Sequence, residues 1–300
     1  MLRTRLIVGT VLAALAAGML LLDERFAPWF PFLFLTVAFL SAAGTVELVR
    51  LLPESRRPSM TICVAGVLFL IALNWGLVIT TRHLEGDLFS PGDALAWVTP
   101  GFAAVVLLTF LAEMATFQGP GGSVERMALT VWTVAYLGVL PSFLIQLRTG
   151  HPEATGEELR RGTVALAMAI FIPKACDIGA YFTGRLIGRH RMTPVLSPKK
   201  TWEGAAGGMV AALATAVGVS LFGAKPEYYW IKAIGFGLTV GLAGLFGDLA
   251  ESLVKRESQK KDASQSVPGF GGVLDVIDSV LFAAPLSFFW LATAPLSPLG

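Results

Sequence analysis

Nine runs of apolar residues divide the chain, and each is close to the length that crosses a bilayer. One helical crossing needs about 20 predominantly apolar residues. The runs lie roughly at 6–22, 26–45, 60–80, 96–117, 127–147, 163–186, 204–222, 231–249 and 272–292. In lipid every backbone polar group must be satisfied within the protein, which leaves only helices or closed barrels. The pattern predicts an all-α polytopic membrane protein with about nine transmembrane helices.

Composition agrees with a membrane protein and argues against a nucleic-acid-binding one. Hydrophobic residues make up 54% of the chain and charged residues 15%, whereas a soluble domain has about 45–50% and about 25%. A net charge of +2 is too small to indicate nucleic acid as a partner. Cys63 and Cys176 both lie in apolar runs, so we expect buried core residues and no disulfide framework.

The distribution of lysine and arginine predicts the orientation of the spans. If the N-terminus and every second connection share one side, that side holds fifteen of the 23 basic residues, and the other side holds seven. Because cytoplasmic loops are enriched in these residues, we expect the N-terminus and the segments 185–203 and 248–278 to face the cytoplasm. The first run follows Arg3 and Arg5 and could also be a cleaved signal peptide, but its length and the many later spans favour a retained helix.

The segment 247–279 is dense in charge and lies between two apolar runs. Four of its polar residues share one helix face because they fall at i, i+3, i+4 and i+7: Asp248, Glu251, Ser252 and Lys255. Asp275 and Asp278 follow a Pro-Gly-rich breaker and lie three residues apart. Charges at a membrane edge are costly and indicate a functional site by default. Carboxylates suit a hard cation such as Mg²⁺, and the interleaved cations suit a polyphosphate.

Ordinary structural roles are open for the same residues. Asp275 could cap the last span, and Glu251 could form an i,i+4 pair with Lys255. Lys260 and Lys261 could belong to a solvated loop or contact anionic lipid. Since these residues are chemically matched and share one segment, we favour a site.

The sixth apolar run contains charge and a regular pattern of small residues. Ala180, Gly184 and Gly188 are four apart, a spacing that lets two membrane helices approach closely. Asp177 and Tyr181 share one face of the same helix. Asp177 is interpreted either as a site residue or as a structural partner of Lys174, three residues earlier.

The segment 197–204 reads Ser-Pro-Lys-Lys-Thr-Trp-Glu-Gly. Ser197 followed by Pro198 predicts the N-cap and first residue of a helix. Free N–H groups at a helix start, beside lysines, suit a phosphate. The alternative is a positive anchor with Trp202 at the membrane interface.

Together these motifs resemble the phosphatidate cytidylyltransferase (CDP-diacylglycerol synthase) family. In this chain the downstream motif reads Ser252, Lys255-Arg256, Lys261-Asp262, Pro268-Gly269-Phe270-Gly271-Gly272, Asp275 and Asp278-Ser279. The upstream motif reads Asp177, Ala180, Tyr181, Gly184, Gly188 and then Ser197-Pro198-Lys199-Lys200-Thr201-Trp202-Glu203-Gly204. The resemblance is strong over 174–285, whereas the N-terminal part agrees only in being a set of hydrophobic spans. Two positions depart from the family pattern, since Phe270 replaces its usual His and Val276 its usual Arg.

The resemblance implies a nucleotidyltransferase of phospholipid biosynthesis. The expected partners are CTP and phosphatidate in the bilayer, which give CDP-diacylglycerol and pyrophosphate with Mg²⁺, and optionally a second cation, as cofactor. We expect a multi-pass homodimer in a bacterial-type cytoplasmic (inner) membrane, with its active site facing the cytoplasm. The spans of 1–160 would form an N-terminal region, and 161–300 the catalytic region.

The resemblance also assigns roles to residues. The metal ligands would be Asp248 and Asp275. The catalytic residues would be Lys200, Lys255, Lys261 and Asp278. The substrate-binding residues would be Ser197, Lys199, Thr201, Glu203, Ser252, Arg256, Gly271, Gly272, Asp177 and Tyr181. Glu203 would either orient Lys200 or only begin the seventh span.

The expected reaction can proceed without a histidine at position 270. A phosphomonoester has its second pKa near 6, so the attacking phosphate of phosphatidate is already largely ionised at neutral pH. No base at position 270 is then obligatory. Three other hypotheses are open: a CTP-dependent lipid kinase for a polyprenol or phytol, which needs a base, an inactive paralogue, and a cation transporter with Lys174 and Asp177 on its path.

Overall fold

A computed structural model describes residues 2–83, 93–149, 157–223 and 229–293. The chain forms two compact units that interleave along the sequence. The first comprises Met1–Ala154 and Asp262–Val276, and the second comprises Thr155–Lys261 and Ile277–Gly300.

The first unit is helical. Its helices are α1 (Leu2–Asp23), α2 (Pro31–Leu51), α3 (Met60–His83), α4 (Asp93–Thr116), α5 (Ser123–Val134) and α6 (Leu140–Thr149). Short 3₁₀ turns occupy Glu24–Phe26 and Glu54–Arg56, and a short π-helix, Ala135–Val139, joins α5 to α6 and ends two residues before Pro141. This is the position at which the proline predicts a departure from regular α-helix.

The second unit contains three long helices, most of a fourth and a small hairpin. Its elements are α7 (Glu157–Ile187), β1 (Arg191–Thr193), β2 (Ser197–Thr201), α8 (Trp202–Gly223), α9 (Tyr229–Glu257) and α10 (Val273–Thr293). The first turn of α10 belongs to the first unit. The strands pair antiparallel, with Thr193 opposite Ser197 and Arg191 opposite Thr201.

Within the described residues, eight helices are long and apolar enough to span a membrane, and Met60–Gly76 is a shorter apolar helix. The prediction of an all-α polytopic membrane protein is therefore confirmed. The number nine and the direction of the N-terminus stay predictions.

Two buried polar contacts organise the first unit. Pro31 occupies the first turn of α2, and the carboxylate of Asp23 accepts hydrogen bonds from Phe32 N (2.9 Å) and Leu33 N (3.3 Å). Asp23 thus satisfies two N–H groups that every helix start leaves unpaired. Between α3 and α6, the Asn74 carboxamide donates to a main-chain carbonyl and accepts from Gln146 at 2.5 Å. Both predicted core cysteines are buried.

Small residues bring α7 and α8 together in the second unit. A Cβ atom on Gly204 would lie 2.9 Å from Ala180 O and 3.3 Å from Gly184 Cα. A Cβ atom on Gly208 would lie 2.7 Å from Cys176 O. The backbones can approach this closely only because these positions carry no side chain, so the predicted packing role of Ala180 and Gly184 is confirmed.

The predicted start of α8 at Ser197 is wrong. Ser197 and Pro198 lie in β2, and the helix begins at Trp202. Thr201 provides the cap instead, because its Oγ1 accepts a hydrogen bond from Gly204 N at 3.1 Å. Pairing with β1 holds the Ser-Pro sequence extended, and a threonine three residues before the donating N–H is also a favoured N-cap.

Candidate active site

Three carboxylates of the second unit converge. Asp248 and Glu251 are one turn apart on α9, and Asp278 lies on α10. One oxygen from each lies within 4.8 Å of the others, with Glu251 and Asp278 buried and Asp248 half-buried. Carboxylate oxygens are the ligands that Mg²⁺ and Ca²⁺ take, so the donor set suits a hard divalent cation. These three residues form the carboxylate cluster.

A lysine from a different place in the fold contacts each member of the carboxylate cluster. Lys200 on β2 places its Nζ 2.8 Å from Asp248 Oδ2, and Lys174 on α7 places its Nζ 3.5 Å from Asp278 Oδ1. Lys255, one turn after Glu251 on α9, is hydrogen-bonded to it. Three like charges at this separation would repel strongly in a partly desolvated place, so the lysines offset a cost that the carboxylates alone would carry.

Glycine 247 fixes how closely α9 approaches the cluster-bearing part of α10. A Cβ atom at Gly247 would lie 2.5 Å from Asp278 O and 3.0 Å from Ser279 Cα. Any larger residue at this position would push the two helices apart. The glycine before Asp248 is therefore part of what brings Asp248 and Asp278 together.

Lys174 also contacts Asp177, which in turn contacts Ser279. The Lys174 Nζ lies 3.3 Å from Asp177 Oδ2, and Ser279 Oγ donates to the same oxygen at 3.0 Å. The predicted pair of Lys174 with Asp177 is confirmed. The second contact of Lys174, with Asp278, is one that sequence spacing did not indicate.

Glu203 has a different partner from the one considered for it. Its carboxylate accepts hydrogen bonds from Arg189 N (3.1 Å) and His190 N (3.1 Å), and it lies 2.5 Å from His190 Nδ1. Lys200 pairs with Asp248, so the hypothesis that Glu203 orients Lys200 is wrong. Glu203 lies in the first turn of α8 and holds the main chain at Arg189 and His190, directly before the hairpin.

Further predicted residues of the second unit surround the hairpin and the end of α9. Arg256 donates from Nε to Leu196 O at 3.2 Å and from Nη1 to Lys260 O at 3.3 Å, so it ties the end of α9 to the hairpin turn. The Tyr181 hydroxyl accepts a hydrogen bond from Arg185 at 3.0 Å. The other predicted site residues differ in how exposed they are. Ser252 and Lys255 are buried, Ser197 and Thr201 are half-buried, and Lys199 and Lys261 are exposed.

Asp275 lies in the first unit and caps the start of α10. Its Oδ2 accepts hydrogen bonds from Gly272 N (2.8 Å) and Ala263 N (3.0 Å). Gly271 has φ +113, a conformation that side chains rarely adopt, and a Cβ atom there would lie 2.8 Å from this oxygen. The interpretation of Asp275 as a helix cap is confirmed, and its role as a metal ligand stays a prediction.

Glu47 on α2 is a polar residue of the first unit that the sequence analysis missed. Its Oε1 accepts hydrogen bonds from the hydroxyls of Ser264 (2.7 Å) and Ser266 (2.6 Å), and its Oε2 accepts one from Leu274 N (2.8 Å). The predicted second span ended at residue 45, whereas α2 continues to Leu51. A carboxylate inside a membrane helix was the available signal, and the early boundary concealed it.

The cytidylyltransferase family model matches residues 3–294, nearly the whole chain. The chain belongs to the cytidylyltransferase family. Its membership covers the N-terminal helices as well as the motifs at 174–285.

Three relatives of this cytidylyltransferase-family chain are each named phosphatidate cytidylyltransferase. The protein of Bacillus subtilis is 30% identical over 254 residues, covering 84% of this chain and 86% of its own. The Synechocystis protein is 33% identical over 193 residues, covering 58% of this chain and 65% of its own. The Haemophilus influenzae protein is 42% identical over 134 residues, covering 43% of this chain and 46% of its own. The aligned part is thus less than two thirds of two of these relatives.

The residue at the family's histidine position, Phe270, makes an apolar contact in this family member. A Cβ atom on Gly9 of α1 would lie 3.3 Å from Phe270 Cζ, so the ring edge rests where α1 has no side chain. Phe270 remains 37% exposed. It therefore acts as a contact between its loop and α1, and it offers neither a proton nor a hydrogen bond.

Proposed function

We propose that this family member is a phosphatidate cytidylyltransferase, which transfers CMP from CTP to phosphatidate. A phosphate oxygen of phosphatidate attacks the α-phosphorus of CTP, and the bond from that phosphorus to the bridging β-phosphate oxygen breaks. Pyrophosphate leaves with the electron pair, and CDP-diacylglycerol remains in the bilayer. The observation that carries the proposal is the carboxylate cluster with a lysine on each member, in a chain whose relatives are named for this activity.

The principal difficulty in this reaction is to bring two anions together. Lys200 and Lys255 supply positive charge beside the carboxylate cluster and hold phosphate oxygens of the nucleotide in line. Lys199 and Lys261, which are exposed, bind the phosphates of CTP that lie farther from the carboxylate cluster. Lys174 keeps Asp177 and Asp278 in place through an ion pair with each.

We propose Asp248, Glu251 and Asp278 as the residues that hold Mg²⁺. Contacts of the described residues use Oδ2 of Asp248 and Oδ1 of Asp278, which leaves a second oxygen on each for a cation. Bound Mg²⁺ neutralises charge on the reacting phosphates and orients them. Whether Asp275 adds a ligand stays a prediction from the resemblance.

The acceptor of this reaction needs no general base. The phosphate of phosphatidate is largely ionised at neutral pH, whereas the hydroxyl of a prenol must lose a proton as it attacks. Phe270 cannot take a proton, so the residue at that position favours an ionised acceptor over a neutral alcohol. Nothing in the described residues favours the kinase or the transporter.

We further propose that the lysine-rich segments 185–203 and 248–278 face the cytoplasm, where CTP is available, and that the protein is a homodimer. The excess of basic residues on that side supports the cytoplasmic orientation.

The resemblance alone supports the homodimer, and the protein mass measured by light scattering in detergent tests it. A monomeric mass in a preparation that turns over CTP would contradict the dimer.

The decisive experiment measures lipid product and pyrophosphate from purified protein given CTP, Mg²⁺ and phosphatidate. We expect equal amounts of CDP-diacylglycerol and pyrophosphate from the wild type, and a loss of at least about 100-fold in Asp248→Asn, since a cation ligand is removed. Glu257→Gln, an exposed carboxylate at the end of α9, is the matched control and should keep full activity.

Other results point elsewhere. If the wild type binds CTP in a Mg²⁺-dependent way but makes no product from phosphatidate, the acceptor is wrong and prenols are tested next. If it binds no CTP, the enzyme assignment fails, and cation flux into liposomes becomes the assay.

A further inference from the structure

We propose that Glu47 on α2 is a positioning residue that holds the loop 262–272 and the first turn of α10 in the geometry that CTP turnover needs. The inference concerns the first unit only, and its functional part rests on the proposed cytidylyltransferase activity. Glu47 lies outside the region 174–285 that carries the sequence motifs. No motif assigns it a role.

The contacts of Glu47 reach both the loop and the helix that follows it. Ser264 and Ser266 donate their hydroxyls to Oε1 at 2.7 and 2.6 Å, and Ser264 Oγ also accepts from Ser266 N at 3.1 Å. Leu274 N donates to Oε2 at 2.8 Å. One side chain thus fixes two loop residues and a main-chain N–H of α10. A charged acceptor makes each of these hydrogen bonds stronger than its neutral equivalent.

Two carboxylates divide the start of α10 between them. A helix start leaves four N–H groups without intrahelical partners. Asp275 accepts from Gly272 N and Glu47 accepts from Leu274 N. Negative charge at the N-terminus of a helix also interacts favourably with the positive end of the helix dipole. Asp275, a predicted site residue, therefore keeps its orientation only while the turn that Glu47 holds is formed.

A groove interrupts the side-chain packing between α2 and the loop on this side. A groove of about 450 Å³ separates part of α2 from the loop. Its lining comes from α2 on one side and from the loop and the start of α10 on the other: Phe39, Ala43, Val46, Glu47 and Arg50, and Ala263, Ser264, Gln265, Ser266 and Val273. Glu47 is 8% exposed, and its hydrogen bonds join the two sides of this groove. The polar contacts therefore set the position of the loop here.

The loop has only local structure of its own. Val267 N donates to Gly271 O at 2.7 Å and Gly271 N donates to Val267 O at 3.0 Å, which closes a tight turn. Gly269 and Gly271 have φ 84 and 113, so the turn contains residues with high conformational freedom in the unfolded state. Such a segment opens easily unless side chains from elsewhere hold it. Glu47 is a described side chain that supplies this restraint from another helix.

The test compares hydrogen–deuterium exchange of peptides covering 262–276 with the kinetics of CTP use. In Glu47→Ala we expect exchange of these amides to rise by at least about ten-fold and KM for CTP to rise by a similar factor, because the open loop must be ordered by the nucleotide. Glu47→Gln keeps one acceptor oxygen and should lie between the alanine variant and the wild type. Ser264→Ala combined with Ser266→Ala removes only the Oε1 partners and should also be intermediate.

Glu113→Ala is the matched control. Glu113 is also a carboxylate on a helix of the first unit, and it forms a 2.8 Å ion pair with Arg126 away from the loop. Its loss should leave both exchange at 262–276 and KM for CTP unchanged. A similar rise in the control would overturn the proposal, since it would report general loosening of the unit.

Every result decides the proposal. Unchanged exchange in Glu47→Ala overturns it. Faster exchange with normal kinetics also overturns it, because Glu47 would then be only structural. If the wild type makes no product at all, the proposed function fails, but the exchange comparison still supports or overturns the role of Glu47 in holding the loop.

Discussion

Lys174 balances two aspartates at the level of single residues. Its ammonium group lies 3.3 Å from Asp177 and 3.5 Å from Asp278, while its side chain is 30% exposed. Ion pairs in such a place contribute little net stability, but removing one partner leaves charge that is partly desolvated and unbalanced. The effect of a substitution at Lys174 therefore depends on which aspartates remain.

We predict that Lys174→Met lowers stability and activity. With the pair partly exposed, the expected loss is about 1–3 kcal/mol, below the value for a fully buried pair. The midpoint of thermal unfolding in detergent measures it, with Lys232→Met, an exposed lysine on α9, as control. Combining Lys174→Met with Asp278→Asn should cost less than the sum of the two single changes, since one of the two unbalanced carboxylates is then neutral. Additive losses would show that Lys174 and Asp278 are independent.

Residue spacing predicts contacts within a helix and misses contacts between helices. The i,i+3 and i,i+4 spacings predict the Lys174–Asp177 and Glu251–Lys255 pairs, and the structure contains both. The contact of Lys174 with Asp278 joins residues 104 apart in sequence, and only the packing of α7 against α10 creates it. Spacing alone predicts only that Glu251 pairs with Lys255. Its nearness to Asp278 depends on how α9 packs against α10, so the sequence does not predict it as a member of the carboxylate cluster.

Helix packing in the second unit depends on positions without side chains. The α7–α8 pair is closely packed at Gly204 and Gly208, where backbone atoms of α7 occupy the space of a methyl group. Membrane helices gain little from the hydrophobic effect when they associate, so close van der Waals contact between backbones stabilises the pair. These contacts also set where β2, and with it Lys200, emerges before α8.

We predict that Gly208→Ala destabilises the protein, whereas Gly218→Ala on the same helix does not. The new methyl group at 208 would lie 2.7 Å from Cys176 O and 3.0 Å from Ala180 Cβ, and backbone cannot move aside cheaply. Overpacking of this kind costs about 1–3 kcal/mol. At Gly218 nothing lies within 4 Å, so the higher helix propensity of alanine should add up to about 1 kcal/mol. Unfolding midpoints in one detergent compare the two, and equal midpoints would contradict the packing argument.

The lengths of the apolar runs predicted the positions of the helices, but nothing in the sequence predicted the β1–β2 hairpin. Runs of about 20 apolar residues predicted the long helices, because lipid allows no other open backbone arrangement. The predicted ends were less accurate, since α2 continues to Leu51 and α9 to Glu257. The segment 191–201 is short and polar, so its pairing of Arg191 with Thr201 depends on the α7–α8 contact that brings its ends together. Local sequence at Ser197-Pro198 favoured a helix start, and tertiary structure overrode it.

Interleaving of the two units is a property of the whole molecule. The stretch Asp262–Val276 joins the N-terminal helices, although residues on both sides of it belong to the second unit. Sequence resemblance is strong on this stretch and weak on α2, yet Glu47 of α2 holds the stretch in place. A motif-based assignment thus finds the loop and misses what supports it, because support comes from a helix identified only by hydropathy.

The direction in which the whole molecule crosses the membrane decides whether CTP can reach the proposed site. We predict that cysteine introduced at Lys199 reacts with a membrane-impermeant maleimide only in inverted vesicles, whereas cysteine at Arg25, on the opposite side, reacts in intact spheroplasts. Both positions are exposed, and the native Cys63 and Cys176 are 0% and 1% exposed, so the wild type should give little background. Positive charge drives this expectation, since lysine and arginine are retained on the cytoplasmic side. The reverse labelling pattern would place Lys199 and Lys200 away from the nucleotide pool, and the proposed transfer from CTP would then be untenable even with the carboxylate cluster intact.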